Sequence, residues 1–309
     1  MENNPELPAE DEMIDFGYLK KILPFIKNTY NSAVSGSEKS PAQGGTGGEG
    51  RDDIKLCLQD ISKSYRFLRH HITALDKICL KVRDGEFICV LGPSGCGKTT
   101  LLNLIAGLDH PDGGEIFYQC RQQIRPRSLI VFQENALFPW LNAQQNVEFG
   151  LKMKGMPKKE RAAIALEYLN LVRLGGYAQC YMHQLSGGMK QRVALARILA
   201  LEPEILLMDE PFAALDLHTR RELSRELQDI WEKTGNTIIF VTHQLEEAVT
   251  LGDRVVLLTA NPGRIKTEIS IELPRPRRPD QPSLLAMIQK IAEELPVSQG
   301  IMEQNSAAI

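Results

Sequence analysis

Glu86-Phe87-Ile88-Cys89-Val90-Leu91 leads directly into Gly92-Pro93-Ser94-Gly95-Cys96-Gly97-Lys98-Thr99, and Thr100 to Ala106 follow. The first stretch reads as a buried strand bounded by Gly85 and Gly92. The second fits G-x-x-x-x-G-K-[ST], and Lys98 to Ala106 reads as a helix. Each residue type has a chemical reason. Glycines let the backbone turn tightly and aim several N–H groups at phosphate oxygens. The helix N-terminus adds partial positive charge. Lys98 can reach the β- and γ-phosphates, the Thr99 hydroxyl can ligate Mg²⁺, and Thr100 can add a hydrogen bond. The loop implies a bound nucleoside triphosphate and does not say what the nucleotide is for. Cys96 lies inside the loop and is expected to line the site. A thiol at a helix N-terminus is a candidate for raised acidity, and its alkylation is expected to block nucleotide binding.

Outward from this loop, short apolar runs alternate with helical patterns. Ile205 to Met208, Thr237 to Val241 and Arg254 to Leu258 read as strands. Ile164, Tyr168, Leu171 and Val172 share one helical face, as do Leu223, Leu227, Ile230 and Trp231. This alternation predicts an α/β fold with a largely parallel sheet. The 309 residues are 43% hydrophobic, enough for a sizeable core, and carry a net charge of −3, which gives no electrostatic case for nucleic acid as main partner. No apolar run is long enough for a bilayer-spanning helix, and Met1 to Asp15 lacks the basic start and apolar stretch of a secretory signal. The six cysteines are scattered without a C-x-x-C pair, as reduced thiols would be. His70-His71 has no cluster of further ligands and reads as a solvated loop.

Residues 1–50 differ in composition from the rest. Met13 to Leu23 fits a short helix ended by Pro24, and Gly44 to Gly50 closes a flexible linker. The globular domain is expected over 51–280, with a C-terminal tail over 281–309. That tail carries a last helix near Ser283 to Glu294, after an extended Pro- and Arg-rich stretch.

Further motifs follow in order: Gln133 after Val131-Phe132; Leu185-Ser186-Gly187-Gly188-Met189-Lys190-Gln191-Arg192; Ile205-Leu206-Leu207-Met208-Asp209-Glu210-Pro211; Ala214-Leu215-Asp216; and His243 after Val241-Thr242. Taken with the phosphate loop, this series resembles the ATP-binding cassette (ABC) family over roughly residues 54–280. The resemblance implies a P-loop NTPase ABC cassette: a RecA-like α/β core, an antiparallel β subdomain and an α-helical subdomain over about 135–185.

By that resemblance the chain binds ATP with Mg²⁺ and hydrolyses it. Thr99, Gln133 and Asp209 would serve Mg²⁺, and Gln133 would also reach the attacking water as a catalytic residue. Glu210 would act as general base or water-orienting group. His243 would contact the γ-phosphate and hold Glu210 and the D-loop residue Asp216 in register, and Tyr65 would stack on adenine. Ser186, Gly187 and Gly188 form the signature that binds the γ-phosphate of ATP held by a second cassette, identical or paralogous. Met189 stands where the commonest family form has Gln.

The implied setting is the cytoplasmic face of the membrane, bound peripherally to membrane-spanning permease subunits and indirectly served by an extracytoplasmic solute-binding protein, with no nucleic acid. Phe138-Pro139-Trp140-Leu141, Asn261-Pro262-Gly263-Arg264 and Phe212 resemble the importer branch for nitrate, aliphatic sulfonates and taurine. Exporters usually carry Thr at the Phe212 position. Ile124 to Leu129 departs from the Gly-Pro-Gly-Asp-Arg-like stretch common in that branch. Phe138 and Trp140 form either a docking surface or a local core. The competing readings are an export or lipid-transport cassette, a soluble non-transport ABC protein, and a nucleotide-binding scaffold that does not hydrolyse. Intact Glu210 and His243 speak against the last.

Overall fold

The computed structural model describes residues 54–67, 70–118, 128–133 and 135–295. The expected helix and linker of residues 1–50, and the departure at 124–127, lie outside the described residues.

Two sheets organise the chain. Strands β1 (Ile54–Phe67), β2 (His70–Arg83) and β4 (Gly113–Tyr118) form a small antiparallel sheet in the order β2-β1-β4. Strands β3 (Phe87–Leu91), β5 (Ser128–Val131), β6 (Ile205–Asp209), β7 (Thr237–Thr242), β8 (Arg254–Leu258) and β9 (Ile265–Ser270) form the second, in the order β5-β6-β7-β3-β8-β9. All its neighbours are parallel except β8 and β9. A parallel strand covered on both faces must be apolar throughout. Every residue of β3, β6 and β7 is buried accordingly.

The strand period of two splits the core in half. Phe87, Cys89 and Leu91 of β3 face one cluster, together with Leu206, Met208, Ile238 and Phe240. Ile88 and Val90 face the other, with Leu207, Ile239 and Val241. Helix α1 (Lys98–Ala106) fills that second side. It buries Leu101, Leu102, Leu104 and Ile105 between the main sheet and Leu56, Leu58, Ile78 and Leu80 of the small one. Each such fully buried Leu or Ile contributes about 1.5–3 kcal/mol.

The opposite side is covered by helices α2 (Ala143–Met153), α3 (Lys158–Leu171), α4 (Gly187–Leu199), α5 (Leu217–Thr234), α6 (Leu245–Leu251) and α7 (Pro282–Glu294). Helices α2, α3 and α4 pack on one another as a separate lobe. Asn142 starts α2 through a capping box: its side chain accepts from Gln145 N, and Gln145 returns a bond to Asn142 N. On α3 the most buried residues are Ala165 and Leu169, with Val172 just beyond, so the inner face lies slightly round the helix from the expected one. On α5, Leu223, Leu227 and Ile230 are buried as expected, while the Trp231 indole donates to Gly85 O at 3.1 Å.

One segment differs from its sequence reading: His70 and His71 begin β2 rather than lying in a loop. The stretch after Leu273 is extended as expected, and it is firmly held. Arg277 is 3% exposed, and its guanidinium donates to the carbonyls of Val249, Leu273 and Ile271 at 2.8 to 3.0 Å, as well as to Gly252 O at 2.5 Å. Burial without a carboxylate partner pulls its pKa down to about 10. Helix α7 then lies on α6 and buries Leu284 and Ile291 in the same core. The packed unit therefore runs through α7, past the expected boundary at 280. Among the described residues, no helix is long and apolar enough to cross a membrane.

Candidate functional site

The candidate site lies where β3, β6 and β7 end, on the edge of the parallel sheet at which ligands bind in open α/β folds. The loop after β3 turns tightly into α1. Gly97, the residue before α1, has φ 95°, and a Cβ there would meet Leu75 Cδ2 at 2.7 Å and Ala74 O at 2.8 Å. Only glycine fits that position.

Lys98 opens α1 and is only 5% exposed. Its ammonium donates to Gly92 O at 2.8 Å and Pro93 O at 2.9 Å, and sits 3.5 Å from Glu210 Oε1. It thus hangs over the loop whose backbone N–H groups would meet phosphates. Thr99, next on α1, lies beside the Asp209 side chain at the end of β6. Burial and the Glu210 carboxylate push the Asp209 carboxyl up, opposed by the Thr99 hydroxyl and by Lys98.

Glu210 follows with φ 45°, a left-handed backbone that turns its side chain toward β7. Its backbone N–H donates to Val241 O at 3.0 Å. Its Oε2 meets His243 Nδ1 at 2.9 Å, and the other ring nitrogen of His243 lies 3.1 Å from Gln244 Nε2. Lys98, Glu210 and His243 are therefore one connected group drawn from α1, β6 and β7.

The other expected residues make contacts of their own, apart from this group. Gln133 is exposed just past β5, the neighbour of β6. Tyr65, on β1, donates its phenol to Asp109 Oδ2 at 2.9 Å and also hydrogen-bonds Thr100 of α1. Lys63 anchors Asp109 at 2.8 Å and lies 5.3 Å from the Tyr65 ring centre. Nothing near Tyr65 in the chain points to Asp109 as its support; only the fold brings Asp109 to Lys63 and Tyr65.

Asp216 caps α5, accepting from Thr219 N at 3.0 Å, and this hydrogen bond pulls its carboxyl pKa down. Ser186 caps α4, its hydroxyl accepting from Met189 N at 3.3 Å. Gly187 is exposed, whereas Gly188 is buried, and a Cβ on it would meet Thr219 Cγ2 at 2.6 Å. Glycine there lets α4 approach α5.

Cys96 corrects one expectation. Its side chain is 1% exposed and belongs to the core beneath the loop, and burial pushes its thiol up, so it is not an acidic thiol lining the site. The backbone of Cys96 stays in the loop, and its sulfur is tucked beneath the loop against Gly92, away from solvent. N-ethylmaleimide should therefore modify exposed Cys79 while Cys96 stays unlabelled and nucleotide binding survives. Mass spectrometry showing Cys96 labelled as fast as Cys79 would contradict this.

Phe138 and Trp140 also separate. Phe138 is 4% exposed and packs on Phe149 with ring centres 4.4 Å apart, whereas Trp140 is 54% exposed. The first is local core and the second is surface.

The chain matches the family model described as ABC transporter over residues 75–213. It is 51% identical to an uncharacterised ABC transporter ATP-binding protein of Methanocaldococcus jannaschii, across 74% of this chain and 86% of that one.

The chain belongs to the ABC transporter ATP-binding proteins.

It is 46% identical to the nitrate import ATP-binding protein of Synechocystis sp., across 72% of this chain and 84% of that one. It is 39% identical to the aliphatic sulfonates import ATP-binding protein of Bacillus cereus, across 78% and 96%. Among solved structures it is similar to a dimeric ATP-binding cassette in a post-hydrolysis state with ADP and phosphate, at 35% identity and TM-score 0.62, over 71% of this chain and 99% of that one. This ABC cassette is accordingly an ATPase with the P-loop NTPase fold.

Proposed function

We propose that this chain is the subunit that binds ATP with Mg²⁺ and hydrolyses it to power an ABC importer for nitrate, aliphatic sulfonates, taurine or a similar small solute. The observation carrying the importer reading is similarity to nitrate and sulfonate import ATP-binding proteins along 84% and 96% of their lengths.

In this reading the backbone of Gly92, Pro93, Ser94, Gly95, Cys96 and Gly97 and the Lys98 ammonium hold the phosphates, with Thr100 beside them. Thr99, Asp209 and Gln133 fit Mg²⁺ chemically. They are hard oxygen donors with a single carboxylate, and Mg²⁺ characteristically takes one or two carboxylates plus phosphates and waters. Thr99 beside the Asp209 carboxyl brings two of those donors together. When bound, Mg²⁺ would supply positive charge to offset that of the phosphates. Glu210 orients the attacking water and takes its proton, and His243 holds the Glu210 carboxylate in place. Tyr65 stacks on adenine. Ser186, Gly187 and Gly188 serve the nucleotide of a second cassette, and Asp216 faces that partner. Similarity to a dimeric cassette supports the pairing.

Loss of this chain from its cell is expected to abolish high-affinity uptake of labelled nitrate or taurine, restored by the wild-type chain but not by Lys98→Ala. Uptake of these solutes unchanged by the loss would refute the importer reading. Exposed Trp140, close to Gln133 in the chain, is proposed to dock on a permease subunit. Trp140→Ala should keep the ATPase rate of the isolated chain within about twofold and lose co-purification with a multispanning membrane protein, as removal of an interface anchor does. Retained co-purification would remove Trp140 from the interface.

A further inference from the structure

Behind the candidate site, one carboxylate joins its two outer loops. Glu247, on α6, is only 6% exposed. Its Oε2 accepts from the Thr242 hydroxyl at 2.5 Å. The same hydroxyl accepts from Gln244 N at 3.0 Å. Thr242 and Gln244 flank His243, so these two bonds brace the turn that carries the imidazole. On its other side Glu247 Oε1 faces Arg220 Nε at 3.5 Å. Arg220, in the first turns of α5, donates its Nη2 to Leu215 O at 3.0 Å, and its N–H bonds Asp216 O at 2.9 Å. Leu215 and Asp216 form the turn that opens α5.

The connection therefore runs from Leu215-Asp216 through Arg220, Glu247 and Thr242 to His243, and from His243 to Glu210. Glu247 Oε1 and Arg220 Nε are both shielded from solvent and neither makes a hydrogen bond, so each has the other's charge as its compensation. A buried charged group whose one facing neighbour is removed keeps its desolvation penalty without compensation. Neither turn can shift away from α6 without that cost. The adjacent Arg221–Glu246 pair, with contacts of 2.7 and 3.0 Å, joins the same two helices at the surface. It keeps α5 on α6 when Glu247 is altered.

We infer that Glu247, acting with Arg220 and Thr242, is a positioning residue for hydrolysis that holds the His243 turn and the Leu215-Asp216 turn in one register. It touches no nucleotide. The inference rests on the reading of Glu210 and His243 as the hydrolytic pair. Its consequence is specific: changing Glu247 impairs turnover and spares ATP binding, because the phosphate loop and Lys98 are held by bonds that do not include it.

The test is steady-state ATPase kinetics on the full-length chain, with Glu210→Gln as the control for the underlying hydrolysis reading. Glu247→Gln should lower kcat by about 30- to 100-fold, the effect of misplacing a reacting group by about 1 Å, and leave KM for ATP within about twofold. Thr242→Val should match it, and Thr242→Ser, which keeps the hydroxyl, should recover to within about threefold of wild type. Arg220→Ala should lower kcat similarly. The Glu247→Gln, Arg220→Ala double variant should be at most about twofold worse than either alone, since coupled residues are non-additive. A merely structural role would move KM and thermal stability together with kcat, and would give additive losses. Wild-type kcat in Glu247→Gln, or Thr242→Ser no better than Thr242→Val, would overturn the inference while hydrolysis by the wild-type chain still stood. A Glu210→Gln variant as active as wild type would instead break the hydrolytic reading, and this inference with it.

Discussion

Glu210→Gln should leave ATP bound and turnover almost abolished, with kcat lower by about 10²- to 10³-fold, within the range general-base groups contribute. The substitution conserves shape, so the effect isolates charge. The carboxylate is gripped on both sides, by His243 Nδ1 at 2.9 Å and by the Lys98 ammonium at 3.5 Å. An amide keeps one of these as a neutral hydrogen bond, weakens the other, and cannot take a proton from water. Because the substitution leaves the proposed phosphate site, the loop Gly92 to Gly97 with Lys98, intact, the variant should accumulate an ATP-bound pair of cassettes. Sedimentation with ATP and Mg²⁺ should show more dimer than the wild-type chain forms. A variant that turns over ATP at the wild-type rate removes Glu210 from the chemistry. One that stays monomeric with ATP and Mg²⁺ removes the shared-site arrangement.

Lys98→Ala should act one step earlier, weakening ATP binding by at least about 30-fold, corresponding to the ~2 kcal/mol lower bound for truncating one partner of a buried charge pair. The Lys98 ammonium is held inside the loop by Gly92 O and Pro93 O. Titration calorimetry with ATP reads the loss directly. A Kd within about twofold of wild type would refute the assignment of residues 92–99 as the phosphate site. The two variants therefore separate by mechanism, one binding without turnover and the other failing to bind.

The legible parts of the site were those whose geometry is local. Strand, glycine-rich turn and helix are contiguous from Glu86 to Ala106, and the backbone groups that would hold phosphate come from the same stretch. The buried strands β6, β7 and β8 were legible for a related reason, since a strand covered on both faces must be apolar at each position. The first sheet was harder to read. Strands β1 and β2 carry Lys, Asp and Ser among their apolar residues, and shifts of register interrupt their pairing. Alternation is lost where a bulge inserts a residue. Cys96 was misjudged because the chain order of a turn does not say which side chains face inward. The Pro- and Arg-rich stretch was legible as extended, but nothing in its composition shows four carbonyls converging on Arg277.

The sequence by itself determined the nucleotide loop, the order of the chemical residues along the chain and the parallel α/β character, because each is written in contiguous residues or in a strand or helix period. Only the tertiary structure decided which side chains meet. It drew Lys98, Glu210 and His243 into one group, set Tyr65 on Asp109 and Thr100, turned Cys96 into the core, left Trp140 at the surface and buried Phe138. It also placed Glu247 between the turns of Asp216 and His243. These contacts join segments far apart in the chain, and they form only when the strands take their places in the sheet and carry the loops at their ends together.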